Sequence, residues 1–505
     1  MKVLNVIEIN TDHMQPLEAG ASLYTNRTYM VQMQKERRPE VTISIQGYNR
    51  LEKTRRCVES VLKYTQGIDY ELLLIDNGST DGTLEYFKSI PFENKRILHI
   101  TKNIGTGFPL LTLTLNDFGD YFCNLANDII VTKDWMYNLL TCAKSDSKIG
   151  MVNPLSNNVS SQQEVDFCYK DYDEMQQMAG EFNRSDPKKW EDRQRLITLG
   201  TLWKKEALMA VGWPIWDLGF FHDFSDDDIT FRIRRMGYRT VLAGDTWICH
   251  DHKVGQGEGK EPLQFQRSLE IGRENFRKKY FGVDAWEDVN NYLIPYMKYF
   301  PAPKSAGMKR ILGIDVRCGT PILDIKNWLR KSGIFSTELS AFTQDVKYWT
   351  DLKTICTGTV VCDREEFLQD SFLENYFDYV IADRPINCYH EPQKLLNDVF
   401  RLCKSGGTVV FRMKNTMSFQ EYINMLGQRD VYDRTFAYNI PVEAVVEAVS
   451  KVGTLKNVIF IPFAMDQEEE DSLGALIPDG FAQEQYQQIL ERLLHKEYLI
   501  IVEKT

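Results

Sequence analysis

Long apolar runs are missing from this chain of 505 residues. No stretch approaches the roughly 20 consecutive apolar residues that a membrane-spanning helix needs. The short apolar stretch Val3–Ile9 is interrupted by Asn5 and Glu8, too short and too polar for a signal peptide. Membrane contact is therefore expected to be peripheral at most. Histidine is scarce, at 7 residues, and the 10 cysteines are scattered without a Cys-x-x-Cys pair or a zinc-like Cys/His spacing. That usage fits a reducing cytoplasm. Positive charge is in the minority, 60 Lys and Arg against 71 Asp and Glu, and the net charge of −11 argues against nucleic acid as a general partner.

What remains is an ordinary globular composition, 43% hydrophobic and 26% charged, in a chain long enough for two separate cores. Pro301, Pro303 and Gly307 punctuate a linker, and a new α/β pattern starts at Lys309. The expected divisions are an arm over 1–39, one domain over 40–285, a linker over 286–307 and a second domain over 308–505. Both domains read as α/β.

The first domain opens on an alternating strand, Val41–Gln46, broken by Gly47-Tyr48-Asn49-Arg50. Leu51, Cys57, Val58, Val61 and Leu62 then share one helical face. A continuous apolar strand, Tyr70–Ile75, ends in Asp76-Asn77-Gly78-Ser79-Thr80-Asp81-Gly82-Thr83, whose glycines and capping residues make a tight loop into another helix. Strand, helix, strand, loop, helix begins a parallel sheet, in which ligands sit at the carboxyl ends of the strands. Another apolar run, Tyr121–Val131, is interrupted by Asn127-Asp128, a carboxylate between greasy flanks that calls for a metal ion or a donor. Asp134 stands at the start of the following helix as its expected N-cap. Farther on, Asp226-Asp227-Asp228 follows Ser225 at a predicted helix start. Ser225 is expected to cap it, with Asp228 assisting, and Gly237 to end it. Asp171–Arg195 is charged and poorly periodic, a segment expected to cover a site or meet an acceptor.

These strings resemble family 2 glycosyltransferases. Gly47-Tyr48-Asn49-Arg50 is similar to the family's first turn, and Asp76–Thr83 matches its second in full. Asn103-Ile104-Gly105 is similar to its Asn-x-Gly, and Leu125-Ala126-Asn127-Asp128 to its metal-binding turn, here with a single carboxylate. The string from Ser225 to Arg232 resembles the Glu-Asp-x-Asp-Leu-x-x-Arg motif, with Ser225 replacing the Glu. The resemblance covers about residues 40–285 and implies a GT-A fold with a Rossmann-like, mostly parallel sheet. It implies a metal-dependent inverting transfer of a hexosyl or N-acetylhexosaminyl group from a nucleotide-sugar, of the UDP-linked kind, to a hydroxyl of a glycan or protein acceptor. On this basis Tyr48, Arg50, Asp76, Asn103, Gly105, Asn127 and Asp128 are expected to bind the donor, with Asp76 reading its base. Asp128 is expected to hold Mn2+ or Mg2+, joined by His250 or, second, His252. Asp226 or Asp227 is the expected general base. Ser156–Gln163 is expected to border the donor pocket, and Gln256–Lys260 to form a lid.

The second domain resembles class I S-adenosylmethionine methyltransferases over about 308–415. Ile311–Pro321 is similar to their Asp-x-Gly-x-Gly-x-Gly motif, but Arg317 and Pro321 replace two of its three glycines. An arginine and a proline ring there should obstruct the cofactor. The resemblance places a ribose-binding acid at Glu338 and an adenine-side acid at Asp363, and S-adenosylmethionine is a doubtful cofactor. Rival readings are a bifunctional glycosyltransferase and methyltransferase, a nucleotidyltransferase and a non-catalytic scaffold. Oligomeric state is left open.

Overall fold

The computed structural model describes residues 6–10, 39–103, 118–212, 215–217, 220, 224–251, 262–426, 438–465, 467–474, 477 and 480–505. The chain divides into two compact units, Met1–Asn290 and Asn291–Thr505. Gly105, His252 and the 256–260 segment lie outside the described residues.

The first unit is built on strands β1 (Val6–Ile9), β2 (Val41–Gly47), β3 (Tyr70–Asn77), β4 (Lys95–Ile100), β5 (Tyr121–Ala126), β6 (Ile129–Ile130), β7 (Ile149–Ser156), β8 (Trp190–Asp192), β9 (Thr201–Lys204) and β10 (Arg239–His250). Their order in the sheet is β1-β4-β3-β2-β5-β9-β7-β10-β6, with β8 beside β10. From β1 to β5 every pairing is parallel, and β9 enters antiparallel between β5 and β7. The N-terminal stretch is thus an edge strand of the sheet, paired with β4 from Val6 to Ile9. A parallel strand buries both faces, and β3 does so. Leu72 and Leu74 pack into one core with Val58 and Val61 of the helix Leu51–Tyr64, while Leu73 and Ile75 pack into the opposite one. This layering brings the ends of β2, β3, β4 and β5 out along one edge of the sheet.

The segment 171–195 is more ordered than its sequence suggests. It contains the helix Tyr172–Phe182, which Asp171 caps through the Glu174 N–H, and strand β8. Every residue from Trp190 to Arg195 is buried. Charged pairs replace the missing apolar pattern: Arg193 with Glu191, and Arg239 with Asp192 at 2.6 Å.

The second unit carries β11 (Lys309–Ile314), β12 (Thr337–Thr343), β13 (Val360–Cys362), β14 (Phe377–Ala382), β15 (Cys403–Lys414), β16 (Gly453–Pro462) and β17 (His495–Lys504). The order is β13-β12-β11-β14-β15-β17-β16, parallel from β13 to β15, with β17 antiparallel to both its neighbours. Among the described residues, no helix is long and apolar enough to cross a membrane.

Candidate functional site

Four loops at the carboxyl ends of β2, β3, β4 and β5 are tied into one surface. Asn49 and Arg50 after β2 are both left-handed, at φ 55° and 60°. The Asn49 N–H donates to Ser79 Oγ at 2.9 Å, and its side-chain oxygen accepts from the Thr80 N–H at 2.9 Å. Leu51 N–H reaches Asp81 Oδ2 at 2.8 Å. The first two loops are therefore stitched together by the same Asn, Ser, Thr and Asp side chains that make the eight-residue string specific. Gly78 has a structural reason as well. With φ at 75°, a Cβ there would lie 2.5 Å from the backbone nitrogen of Asn103. That close approach lets Asn77 Nδ2 donate to Asn103 Oδ1 at 3.1 Å, joining the loop after β4.

Asp76 is fully buried, and both its oxygens are engaged: one by the Ser79 N–H at 3.1 Å, the other by His99 Nδ1 at 2.7 Å. His99 was not singled out from sequence, because nothing in Lys95–Ile100 sets it apart from an ordinary strand histidine. Tyr48 stands beside this surface with about half of its area exposed.

The turn after β5 joins the same surface. Asn127 Nδ2 donates to the Asn49 carbonyl at 3.1 Å and to Thr54 Oγ1 at 3.0 Å. Asp128 is 8% exposed, with Arg50 Nη1 at 3.8 Å and His250 Nε2 at 3.9 Å. The pairing of β6 with β10 opposes Ile129 and His250, which delivers the histidine to the carboxylate. His250 is also oriented. Its Nδ1 donates to the Asn158 carbonyl at 3.2 Å, which turns Nε2 toward Asp128. Asn157 clamps the His250 backbone, accepting from its N–H at 2.9 Å and donating to its carbonyl at 3.0 Å. A carboxylate and an oriented imidazole fit a divalent ion such as Mn2+ or Mg2+, and 3.9 Å is a gap that two bonds of about 2.1 Å can span. Among the described residues no cluster of three or more His, Cys, Asp and Glu side chains forms.

The loop that holds His250 also reaches the acidic helix. Ser161 and Gln162, left-handed like Asn158, follow within a few residues. Ser161 Oγ accepts from Arg195 Nη1, and Arg195 Nε donates to Asp227 Oδ1. Thr198 donates its hydroxyl to Asp226 Oδ1. The helix spans Ser225–Arg235, but Ser225 is its first residue rather than its cap. The cap position is Phe224, left-handed at φ 66°. Asp228 does not cap either. Its carboxylate meets Lys279 at 2.6 Å, Tyr280 Oη at 2.6 Å and Arg232 at 3.4 Å. Asp134 does stand at the cap position of the helix Trp135–Lys144, yet its side chain makes no capping bond there. Burial pushes Asp226 up to about 6, with the neighbouring Asp227 charge adding to the shift against the Thr198 hydrogen bonds. Asp227 is raised as well, by burial working against Arg195.

Residues 42–186 match the family model described as Glycosyl transferase family 2. The first unit contains a family 2 glycosyltransferase domain. The matched stretch takes in the four stitched loops and ends before Arg195, the acidic helix and His250, whose assignment rests on the contacts above. An uncharacterized glycosyltransferase of Haemophilus influenzae is 28% identical over 113 residues, which is 22% of this chain and 35% of that protein. The chain thus spans about a third of that curated relative. A crystal structure of GalNAc-T7 with UDP, GalNAc and Mn2+ superposes with a TM-score of 0.37 and 14% identity, covering 51% of this chain and 52% of that one. An S-adenosylmethionine-dependent methyltransferase from Archaeoglobus fulgidus superposes with a TM-score of 0.31 and 16% identity, covering 46% of this chain and 99% of that one.

In the second unit the loop after β11 does not fit the close approach of S-adenosylmethionine. Asp315, at the end of β11, accepts from the Gln344 N–H at 2.8 Å, from Gln344 Nε2 at 2.9 Å and from Tyr389 Oη at 2.7 Å. Arg317 is left-handed at φ 54°, a glycine conformation carrying a long cation. Glu338 is a correction: it is the second residue of β12, at the amino end of the sheet, beside Tyr376 Oη at 3.3 Å. The carboxyl end of β12 carries Gln344, already turned onto Asp315, and then Asp345, which accepts from the Lys347 N–H at 3.0 Å. Asp363 does follow the carboxyl end of β13.

Proposed function

We propose that the chain is a metal-dependent inverting glycosyltransferase that moves a sugar from a nucleotide-sugar, UDP-linked, to a hydroxyl of a glycan or protein acceptor. The observation that carries this reading is the loop 157–163. Its Asn157 and Asn158 hold His250 against Asp128, while its Ser161 holds Arg195 against Asp227. One short segment thereby joins a metal-ligand pair to an acidic pair, the two parts that sugar transfer from a diphosphate donor needs.

In this reading Tyr48, Arg50, Asp76, Asn103 and Asn127 form the donor-binding surface, with Gly105 expected to join it. A carboxylate of the acidic pair takes the proton of the acceptor hydroxyl. The acceptor oxygen forms a bond to the sugar C1 as the bond from C1 to the diphosphate oxygen breaks, and the electron pair leaves with the nucleoside diphosphate. A divalent ion held by Asp128 and His250 would supply positive charge for that leaving group. Arg50, 3.8 Å from Asp128, adds a second cation on the same side.

Incubating the full chain with a panel of UDP- and GDP-linked sugars and Mn2+ tests the reading. Release of nucleoside diphosphate from one member, abolished by EDTA, is the expected result. Turnover that survives EDTA would remove the metal from the account, and turnover of none would remove the transferase reading itself.

A further inference from the structure

We propose that Arg195 is a positioning residue that divides the acidic pair, holding Asp227 in an ion pair and leaving Asp226 to take the acceptor's proton. The inference rests on the transferase reading above and sharpens it to one base.

Three acids share the first turn of the helix Ser225–Arg235, and the fold commits two of them. Asp228 is 1% exposed and bound by Lys279, Tyr280 and Arg232. Asp227 is 2% exposed and bound by Arg195, itself 8% exposed. Asp226 is the more exposed of the three, and its partners among the described residues are the hydroxyl and backbone N–H of Thr198. No ion pair of Asp226 occurs among the described residues. A general base must be able to give up its partners and accept a proton, which Asp226 can do without leaving a buried cation behind.

Arg195 is placed for this from two sides. Its Nε meets Asp227 and its Nη1 meets Ser161 Oγ, in the left-handed stretch that also carries Asn158. The groups facing the pair are therefore Arg195 and Ser161 from one side, Thr198 from the other, and Asp228 from the same helix turn. An ionised Asp227 beside a partly buried Asp226 keeps the Asp226 proton affinity near neutrality, where a base works best. Without Arg195, two adjacent carboxylates would share a proton, and Asp226 would hold its own more tightly.

The sign of each change separates this from a purely structural ion pair. The test follows kcat against pH from 5 to 8 for the full chain with Mn2+ and the UDP-sugar that the panel shows to be turned over. Wild type is expected to lose activity on acidification near pH 6. Arg195→Gln should move that acid limb up by about one pH unit and lower kcat at neutral pH by roughly tenfold or more, with KM little changed. Arg195→Lys should restore most of both. Asp227→Asn should move the limb the other way, because the raising charge is gone while Arg195 stays. Asp226→Asn should lose turnover at every pH. An unmoved limb in Arg195→Gln would make the residue structural, and turnover surviving in Asp226→Asn but not in Asp227→Asn would reverse the assignment. If Arg195→Gln does not fold, Ser161→Ala decides by the same criterion, with a smaller upward move expected and an unmoved limb contradicting the role. If wild type turns over no donor, the transferase reading fails separately. The protonated-carboxyl infrared band that Asp226→Asn removes then reads the same titration, with an upward move in Arg195→Gln expected and none overturning the proposal.

Discussion

Asp228 carries the same charge as its two neighbours in sequence, yet its surroundings give it a different task. Lys279 bridges it to Asp217, at 2.6 and 2.5 Å, and Tyr280 closes the cluster, so the helix Ser225–Arg235 is fastened to the helix Pro262–Lys279 through this carboxylate. Removing one partner of a buried ion pair costs about 3–5 kcal/mol, because the other charge is left behind. Asp228→Asn is therefore expected to lower the denaturant midpoint of the first unit's transition while the folded fraction keeps the wild-type acid limb. An unchanged midpoint with turnover lost would instead make Asp228 part of the chemistry. Sequence set Asp228 apart as an aid to the helix cap, a role it does not have, and could not choose between Asp226 and Asp227. The partners that sort the three acids, Arg195, Thr198 and Lys279, lie roughly 30 to 50 positions away, so only the fold brings them to the helix. The same limit hid His99, which reaches Asp76 from the neighbouring strand.

Among the loops, the legible ones were those that mark their backbone with glycine. Gly78 and Gly82 announce the left-handed turns after β3, and the expected loop is there. The loop 157–163 reaches comparable conformations with Asn158, Ser161 and Gln162, and its sequence, read as a polar loop bordering the donor pocket, gives no sign of these turns. Its role at the metal pair is open to a direct measurement. Asn157 holds the backbone of His250 from both its donor and its acceptor sides, and outer-shell changes of this kind commonly weaken metal binding 10–100-fold. Asn157→Ala is expected to weaken Mn2+ binding, read by electron paramagnetic resonance on the full chain, by about that factor. Unchanged binding would show that β10 alone holds His250 in place. The order within 171–195 is hidden for a related reason: Glu191, Asp192, Arg193 and Arg195 are charged and buried together, which erases the apolar alternation by which a strand is usually recognised.

On the scale of the whole molecule, the parallel strand and helix rhythm was visible in both halves, because runs such as Tyr70–Ile75 and Phe377–Ile381 bury both faces and need no partner to be read. Function was less evenly legible. The second unit keeps the sheet, but Gln344 and Tyr389 occupy Asp315, and Arg317 stands where the cofactor's close approach requires glycine. Titrating the full chain with S-adenosylmethionine in a calorimeter is expected to show no binding up to roughly millimolar concentration, about 4 kcal/mol or weaker. Micromolar binding would contradict that and make the chain bifunctional. The first unit bears the central claim, that sugar transfer depends on a metal ion held between Asp128 and His250. Its most direct test is nucleoside diphosphate release by Asp128→Ala beside wild type, at saturating Mn2+ and with the folded fraction of each confirmed by circular dichroism. The account predicts a loss of about 100-fold or more with the fold intact. Near-normal release by the folded variant would contradict it.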